Sequence, residues 1–372
     1  MRWFKIENEH EVPSPSLLID VERVKRNLRR MLQWTGDRDP SVLRPHVKTH
    51  KLPQIVQLKR DAGIAKFKTS TIAECEMTAG AGGEDILMAY QPVGPNIDRF
   101  LDLIETFPAT RFSTIVDCLK IAQQLADAAK GRRRTIDVYL DINVGMNRTG
   151  IVVGELAEQV YRFICESPQL RAMGIHAYDG HIHHHDKDTV VRMMEDAFTP
   201  VWQWRQKLEA DGLSIPKVVG CGTPTSELML RQDVDVDVEV SAGTSVLWDA
   251  GQPTFSPPME FENAALILAR VISCPTENTI CIDVGHKAVA AEMQPPRILF
   301  EGLEDAEFVM QNEEHLVLRS NRAGDYPVGR TLYGMPVHIC PTVALYDHVW
   351  RVEGGLAIER WPVTGRARRI SL

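Results

Sequence analysis

A short segment, residues 44–51, holds the most reactive combination of side chains in this chain. It reads Arg-Pro-His-Val-Lys-Thr-His-Lys, so Lys48 lies between two histidines and close to further cations. A lysine that forms an imine must be a neutral amine near neutral pH, and neighbouring positive charges and partial desolvation both lower its pKa. The spacing therefore suits imine chemistry at Lys48. A solvated basic loop has the same composition, and the segment alone leaves both interpretations open.

A second reactive pair lies near the C-terminus, in residues 337–342, which read Val-His-Ile-Cys-Pro-Thr. We predict a strand here, and residues two apart in a strand point to the same face, so His338 and Cys340 would reach one ion together. Imidazole and thiolate favour Zn²⁺, with Mn²⁺ or Mg²⁺ as alternatives, and leave coordination positions for water or substrate. The competing interpretation is a buried cysteine beside a core histidine.

Two glycine–threonine pairs and a run of histidines add to these candidates. Gly222-Thr223 and Gly243-Thr244 suit a phosphate, because glycine lets backbone N–H groups approach and threonine adds a hydroxyl, although ordinary turns look the same. The histidines could bind metal or form a polar rim. We expect His184 and His185 to form the rim, and His181 or His183 to act as a base toward a substrate hydroxyl. In order, they are His181, His183, His184 and His185.

The elements that must position these residues alternate between strand and helix. Hydrophobic periodicity predicts a parallel (β/α)8 TIM-type barrel, in which chemistry lies after the C-terminal ends of the strands. Lys48, Thr69 and both glycine–threonine pairs follow such ends. The predicted strands are 16–20, 64–68, 85–90, 111–116, 136–142, 170–178, 217–219 and 236–240.

The pattern changes near residue 252, where short apolar segments separated by turns replace the alternation. No good helix divides these segments, which is typical of an antiparallel β domain. We predict a barrel domain at 12–250 and a smaller antiparallel β domain at 251–372, joined by residues 1–11 and carrying the metal ligands. The predicted strands of this part are 266–272, 279–283, 315–319, 337–340 and 348–352.

The bulk composition excludes several classes of function. The chain has 372 residues, 44% of them hydrophobic, and a net charge of -8, which argues against a nucleic-acid partner. No apolar run approaches the ~18 residues that a membrane span needs. Seven scattered cysteines without a Cys-x-x-Cys pair, and an N-terminus without a secretory apolar segment, predict a reducing, cytoplasmic location.

Arg-Pro-His-x-Lys-Thr-His at 44–50 and His-x-Cys-Pro-Thr at 338–342 resemble the D-threonine aldolase and D-serine dehydratase family. These are pyridoxal-phosphate enzymes of the alanine-racemase-like fold type, and the resemblance runs over nearly the whole chain. It implies a barrel followed by a β domain, a homodimer, and a small D-amino acid as substrate. Lys48 would be the Schiff-base lysine, and His338 and Cys340 would hold the metal.

The resemblance also implies roles for further residues. Arg148, in Gly-Met-Asn-Arg-Thr-Gly, matches the arginine that contacts the cofactor ring or its oxygen, and Tyr178 matches a tyrosine beside the cofactor. The two glycine–threonine pairs match the segments that hold the phosphate, and we assign Thr69 to the same cofactor site. The chain departs from the family at Asp179, where the family has histidine, and at Val337, where asparagine is frequent.

The reaction implied is a pyridoxal-phosphate- and metal-dependent lyase reaction on a β-hydroxy D-amino acid. Deprotonating the hydroxyl would cleave Cα–Cβ and give glycine and an aldehyde, as in D-threonine aldolase, which we favour on the whole-chain pattern. Removing the Cα proton, with Lys48 as base, would instead give a 2-oxo acid and ammonia, as in D-serine or 3-hydroxy-D-aspartate dehydratases. An amino-acid racemase or a non-catalytic cofactor carrier is less favoured, because neither needs the His338–Cys340 pair.

Overall fold

The structure is a computed structural model that describes residues 3–372. The first strand is β1 (Ser16–Asp20) and the first α-helix is α1 (Val21–Gln33), which Asp20 caps by accepting a hydrogen bond from Arg23 N. Seven parallel strands then form one sheet in which each pairs with the next along the chain. They are β2 (Lys66–Thr69), β3 (Asp85–Met88), β4 (Arg111–Val116), β5 (Ile136–Ile142), β6 (Leu170–Ala177), β7 (Lys217–Gly220) and β8 (Asp237–Val240).

Helices connect these strands and cover the outside of the sheet. Each carries an apolar stripe, as in the helix at 96–106, where Ile97, Phe100 and Leu101 are buried. Parallel strands need such crossover connections, so the predicted strand–helix alternation is confirmed. The helices are α2 (Pro53–Asp61), α3 (Ile72–Gly80), α4 (Asn96–Thr106), α5 (Leu119–Gly131), α6 (Glu155–Glu166), α7 (Lys187–Ala210) and α8 (Thr223–Leu230).

The segment just before Lys48 closes the barrel. Leu43 forms a parallel bridge to Val240 of β8, and His46 forms one to Lys68 of β2. The segment contains Pro45, which has no N–H to donate, so isolated bridges take the place of a regular ladder. The eighth barrel position is therefore an irregular strand, and the predicted TIM-type barrel is confirmed.

A second sheet follows the barrel and is antiparallel at every pairing but one. Its strands after β1 are β9 (Ala265–Thr276), β10 (Thr279–Ile282), β11 (Ile298–Phe300), β12 (Glu307–Gln311), β13 (Leu316–Arg319), β14 (Thr331–Pro336), β15 (His348–Glu353) and β16 (Leu356–Pro362). The strand order is β12-β13-β10-β9-β1-β15-β16, with β14 pairing with β9 and β11. The predicted antiparallel β domain is therefore confirmed.

Two sequence-based placements were wrong. Strand β1, counted in the barrel alternation, pairs with β9 and β15 in the second sheet, and its continuous apolar run carries no signal that selects either sheet. Residues 337–340 are not a strand, because β14 ends at Pro336 and the short helix α10 (Ile339–Val343) begins after His338. Pro341 suits this place, since the first turn of a helix tolerates proline.

The limits of the two predicted domains, 12–250 and 251–372 with 1–11, stay a prediction, and residues 1 and 2 lie outside the described residues. One further short helix, α9 (Gln252–Phe255), lies where the barrel gives way to the second sheet. Over residues 3–372, no helix has both the length and the apolar character needed to cross a bilayer.

Candidate active site

Lys48 lies in a single 3₁₀ turn, Val47–Thr49, that follows the irregular eighth strand. His46 is the N-cap of this turn, and its Nδ1 accepts a hydrogen bond from Lys48 N at 3.2 Å. The other ring nitrogen, Nε2, lies 3.0 Å from Ser70 Oγ. Burial, with the charges of Lys48 and Lys68, lowers the pKa of His46 well below its ordinary value. His46 is therefore a neutral ring that fixes the backbone of the lysine.

Two cavities meet at Lys48. The large cavity, of about 580 Å³, lies over β2 to β6 and reaches Arg148 and Lys68. The small cavity, of about 330 Å³, lies beside β7 and β8 and reaches His338 and Cys340. Lys48 lines both cavities, together with His46 and Tyr178.

Three basic side chains surround the ring of Tyr178. The side-chain nitrogens of Lys48 and Lys68 lie 5.8 and 5.2 Å from its centroid, and the guanidinium carbon of Arg148 lies 5.0 Å from it. The ring face attracts cations, yet it carries no formal charge that could neutralise three of them. This arrangement makes the mouth of the barrel a positive site suited to an anionic ligand.

The two glycine–threonine pairs line the small cavity, as do Pro224 and Ser241. Helix α8 begins at Thr223 with Gly222 as its N-cap, and Gly222 N donates to Asp179 Oδ1 at 2.7 Å. Helix N-termini bind phosphate through their unpaired N–H groups. The Ser241 hydroxyl is buried and has no hydrogen-bond partner within residues 3–372. These donors fit a phosphate group.

Gly243 lets the loop after β8 approach the lysine segment closely. A Cβ at this position would lie 3.0 Å from Thr49 Oγ1 and 3.3 Å from the His46 Cβ. Contacts this tight would push the loop away from the turn that carries Lys48. Glycine therefore holds the phosphate-type loop and the lysine together.

His338 and Cys340 lie at the start of α10 and both line the small cavity. Cys340 Sγ lies 3.2 Å from Thr49 Oγ1 and 3.6 Å from Thr244 Oγ1. The two sequence-distant motifs are thus in direct contact, because Thr49 is the residue after Lys48.

The charges of the site favour a thiolate at Cys340. Burial raises the pKa of Cys340, but interactions with His338 and Lys48 outweigh it and bring the pKa below its ordinary value. Burial likewise opposes the charge on His338, whereas Cys340 and Glu292 raise its pKa to about 9. Glu292 Oε1 lies 2.6 Å from His338 Nδ1. A thiolate, and an imidazole oriented by a carboxylate, are donors that fit a divalent metal.

His338 and Cys340 have no third candidate metal ligand beside them in the part of the chain that the structure describes. Within residues 3–372, no three His, Cys, Asp or Glu side chains form a group that could hold an ion together. Two protein donors would leave the remaining positions to water or substrate, as an open catalytic metal site requires.

Two predicted site residues do not line either cavity. The Thr69 hydroxyl lies 2.9 Å from Cys75 Sγ of α3 and donates to Leu87 O at 3.3 Å. Strand alternation turns Thr69 outward and gives the large cavity to its neighbour Lys68. His181 packs against the loop at Gly145, so closely that a Cβ added to Gly145 would lie 2.8 Å from His181 Nε2.

The other histidines of the run have different surroundings. His183 lines the small cavity with Lys48 and Cys340, so one of the two predicted bases shares a cavity with the candidate metal ligands. The rings of His184 and His185 stack on each other with centroids 4.4 Å apart. This pair lines neither cavity, in keeping with the expected rim.

Sequence reasoning missed a buried polar group in the large cavity. Asp141 Oδ1 lies 2.6 Å from His176 Nδ1, and both side chains line this cavity with Lys68. Lys68 Nζ, His176 Nε2 and Asp141 Oδ2 are buried without hydrogen-bond partners within the described part of the chain. The sequence does carry a signal for this group, because Lys68, Asp141 and His176 are polar residues within strands of the predicted barrel. Such open donors and acceptors fit a bound polar cofactor or substrate.

Comparison with known proteins agrees with this arrangement. Residues 19–247 match the family model described as alanine racemase, N-terminal domain, and residues 264–352 match a putative serine dehydratase domain. The D-threonine aldolase of an Arthrobacter species is 28% identical over 358 residues, covering 95% of this chain and 93% of that protein. The D-threo-3-hydroxyaspartate dehydratase of Delftia sp. (strain HT23) is 26% identical over 371 residues, covering 94% and 96%.

A solved structure supports the same relationship over the whole fold. The crystal structure of the D-threonine aldolase from Filomicrobium marinum superposes with a TM-score of 0.87 at 26% identity, covering 98% of both chains. Since the alanine racemase match spans more than half of the sequence and a serine dehydratase domain follows it, the chain belongs to the alanine-racemase-like family, in the D-threonine aldolase and D-serine dehydratase branch.

Proposed function

We propose that this protein is a pyridoxal-phosphate- and divalent-metal-dependent lyase that cleaves β-hydroxy D-amino acids to glycine and an aldehyde. The observation that carries the proposal is the shared small cavity, in which Lys48 and the His338–Cys340 pair face one volume. Relatives named as a D-threonine aldolase and 3-hydroxy-D-aspartate aldolases support the substrate class.

We assign each residue of the site a different role, according to its position. Lys48 would hold pyridoxal phosphate, which supplies an electron sink when it is bound, and the loops at Gly222 and Gly243 would hold its phosphate. His338 and Cys340 would hold the metal, Zn²⁺ in the first place, which supplies a Lewis acid. His183 lines the same cavity and is the candidate base for the hydroxyl proton of the substrate.

A dehydratase reaction is the second candidate, giving a 2-oxo acid and ammonia. Lys48 lines both cavities, and its amine, when not holding the cofactor, would be a suitable base for the Cα proton. The Delftia relative, named as a dehydratase, supports this alternative. Which proton is removed first, from the hydroxyl or from Cα, decides between the two outcomes.

The test is to supply the protein with pyridoxal phosphate and Zn²⁺ or Mn²⁺ and to assay each substrate separately. D-Threonine, D-serine and 3-hydroxy-D-aspartate are the substrates, and glycine, aldehyde, 2-oxo acid and the L-enantiomer are the products to measure. Glycine with an equal amount of aldehyde supports the aldolase, and 2-oxo acid with ammonia supports the dehydratase. Formation of the L-enantiomer alone would overturn both.

We also propose a homodimer in a reducing, cytoplasmic compartment. Tyr90 and Val93 line the large cavity yet are 57% and 44% exposed, which suits a site completed by a partner subunit. All seven cysteines are free, which suits a reducing compartment. Light scattering combined with size exclusion tests the dimer, and a monomeric active enzyme would contradict it.

A further inference from the structure

We propose that Lys68 is a second ligand-binding lysine, which binds an anionic oxygen of the molecules held at Lys48. Two sources supply such an oxygen, namely the phenolic oxygen of the cofactor and the carboxylate of the amino acid. The inference rests on the proposed function, because both sources assume a pyridoxal-phosphate site at Lys48.

The first observation is the burial of an unpartnered amine. Lys68 is 2% exposed, and its Nζ has no hydrogen-bond partner within residues 3–372. It lines the large cavity with Lys48 and lies 5.2 Å from the centroid of the Tyr178 ring. A buried ammonium without an acceptor is costly, so an acceptor from a bound ligand would stabilise it.

The second observation is that no nearby carboxylate hydrogen-bonds Lys68 Nζ within residues 3–372, although the Oδ2 atoms of Asp141 and Asp179 are also without a partner there. Asp141 Oδ1 lies 2.6 Å from His176 Nδ1, and Asp179 Oδ1 accepts from Gly222 N at 2.7 Å. Both aspartates act on Lys68 only through space. Asp179 lines the small cavity, and the acidic side chains of residues 3–372 that line the large cavity are Asp141 and Asp117, whose Oδ2 accepts from Gly150 N at 3.1 Å.

The third observation concerns the charge of the amine. Burial, with the charge of Lys48, lowers the pKa of Lys68 to about 7, even though Asp141 and Asp179 oppose this effect. Without a ligand, the amine is therefore largely neutral in slightly alkaline solution. An anion at hydrogen-bond distance would favour the ammonium, so ligand binding would take up a proton.

The contrast within strand β2 shows that the position is specific. Lys66 also points into the barrel, but its Nζ pairs with Glu239 Oε1 at 2.5 Å at the opposite end. Phe67 and Thr69 point outward and are fully buried. Of these two lysines of β2, Lys68 lines the large cavity and Lys66 does not. Lys66 therefore offers a matched control on the same strand.

The experiment compares wild type with Lys68→Met, Lys68→Gln and the control Lys66→Met. The dissociation constant of pyridoxal phosphate is measured from its visible absorbance, and that of glycine from the spectral change in the loaded protein. Loss of a charge-assisted hydrogen bond should weaken binding of the responsible ligand about 10- to 100-fold. Weaker binding of pyridoxal phosphate would identify the phenolic oxygen as the partner of Lys68. Weaker binding of glycine, with unchanged binding of pyridoxal phosphate, would identify the carboxylate.

Calorimetry in buffers of different ionisation enthalpy gives a second readout on the wild type. The proposal is supported if wild type takes up a proton when the ligand binds and Lys68→Gln does not. This result holds even if Lys68→Met fails to fold. The inference is overturned if the folded Lys68 variants bind both ligands as wild type does. Failure of wild type itself to bind pyridoxal phosphate would instead overturn the proposed function.

Discussion

The side chain of Lys48 faces both cavities, whereas its backbone is held by one neighbour. His46 accepts the Lys48 N–H and lies within hydrogen-bond distance of Ser70, so a single neutral ring connects the turn to the end of β2. The second histidine of the motif, His50, has a structural role below the turn. Its Nε2 lies 3.1 Å from the buried amine of Lys59. The two histidines that flank Lys48 therefore shape its segment rather than supply charge.

Replacing His46 with alanine removes the cap of the lysine turn. Loss of an N-cap costs about 0.5–2 kcal/mol, so we expect pyridoxal phosphate to bind about 2- to 30-fold more weakly. Titration of the visible absorbance measures this change. His348→Ala, at an exposed position, is the control. Equal affinity in both variants would show that the cap does not position Lys48.

Replacing Lys48 and Cys340 separately should remove different ligands. We expect Lys48→Ala to abolish the visible absorbance of bound pyridoxal phosphate, because no other lysine lines both cavities. We expect Cys340→Ala to keep this absorbance while metal content and lyase activity are lost, since the thiolate is one of two protein donors. Absorbance spectra and metal analysis of the same samples are the measurements. Loss of the absorbance in Cys340→Ala would contradict separate roles.

At the level of elements, strand β8 connects the site to the floor of the barrel. Glu239 is buried and accepts from Arg44 Nε at 2.6 Å, from Lys66 Nζ at 2.5 Å and from Lys217 Nζ at 2.6 Å. Arg44 belongs to the irregular eighth strand, so these ion pairs join it to β2, β7 and β8. The arginine of the lysine motif thus closes the barrel at the end opposite to the site.

The pH dependence of stability should reveal this network. Although burial opposes it, the cations of Arg44, Lys217 and Lys66 lower the pKa of Glu239 to about 2. An unfolded glutamate titrates near ~4.3, so the contribution of about 3 kcal/mol is complete above about pH 5 and is lost as the pH falls toward 2.

We therefore expect Glu239→Gln to lower the free energy of unfolding by about 3 kcal/mol or more at neutral pH, because it leaves three cations without their shared carboxylate. The difference from wild type should shrink as the solution is acidified. Urea unfolding at several pH values measures it. Glu307→Gln, which removes an exposed pairing with Arg319, is the control and should change stability little. A pH-independent difference would argue against the ion network.

For the molecule as a whole, the site exists because two distant stretches of chain meet. Helix α10, which follows strand β14, brings Cys340 into contact with Thr49 of the barrel. Asp249 Oδ2 holds the first turn of α10 by accepting a hydrogen bond from Ile339 N at 3.0 Å. Gly365 N also donates to Lys51 O at 3.0 Å. The C-terminal part is therefore packed against the lysine segment on more than one side.

Removing the metal should leave this packing intact. We expect chelation by EDTA to abolish lyase activity but to keep the fold and the visible absorbance of the cofactor, because His338 and Cys340 lie outside the loops at Gly222 and Gly243 that we propose hold the cofactor. Circular dichroism, absorbance and activity before and after re-addition of Zn²⁺, Mn²⁺ or Mg²⁺ are the measurements. Full activity in the metal-free protein would remove the metal from the proposed mechanism.

The sequence alone determined the elements and the two chemical motifs. Period-two and helical patterns predicted the seven regular barrel strands and the β domain, and the motifs singled out Lys48, His338 and Cys340. These signals are local, since residue type and spacing fix secondary structure and donor chemistry within a few residues. The same local signals misplaced β1, because a short apolar run fits either sheet equally well.

Only the tertiary structure decided which side chains share a volume. Thr69 ends a barrel strand as predicted, yet strand alternation turns it away and presents Lys68 instead, whose unpartnered amine no sequence pattern indicated. The sequence placed the candidate donors His338 and Cys340 on a strand, whereas they lie at the start of α10, whose first turn depends on a contact with Asp249. Proximity between residues almost 300 positions apart, such as Thr49 and Cys340, arises from packing of the whole chain and has no signal in local spacing.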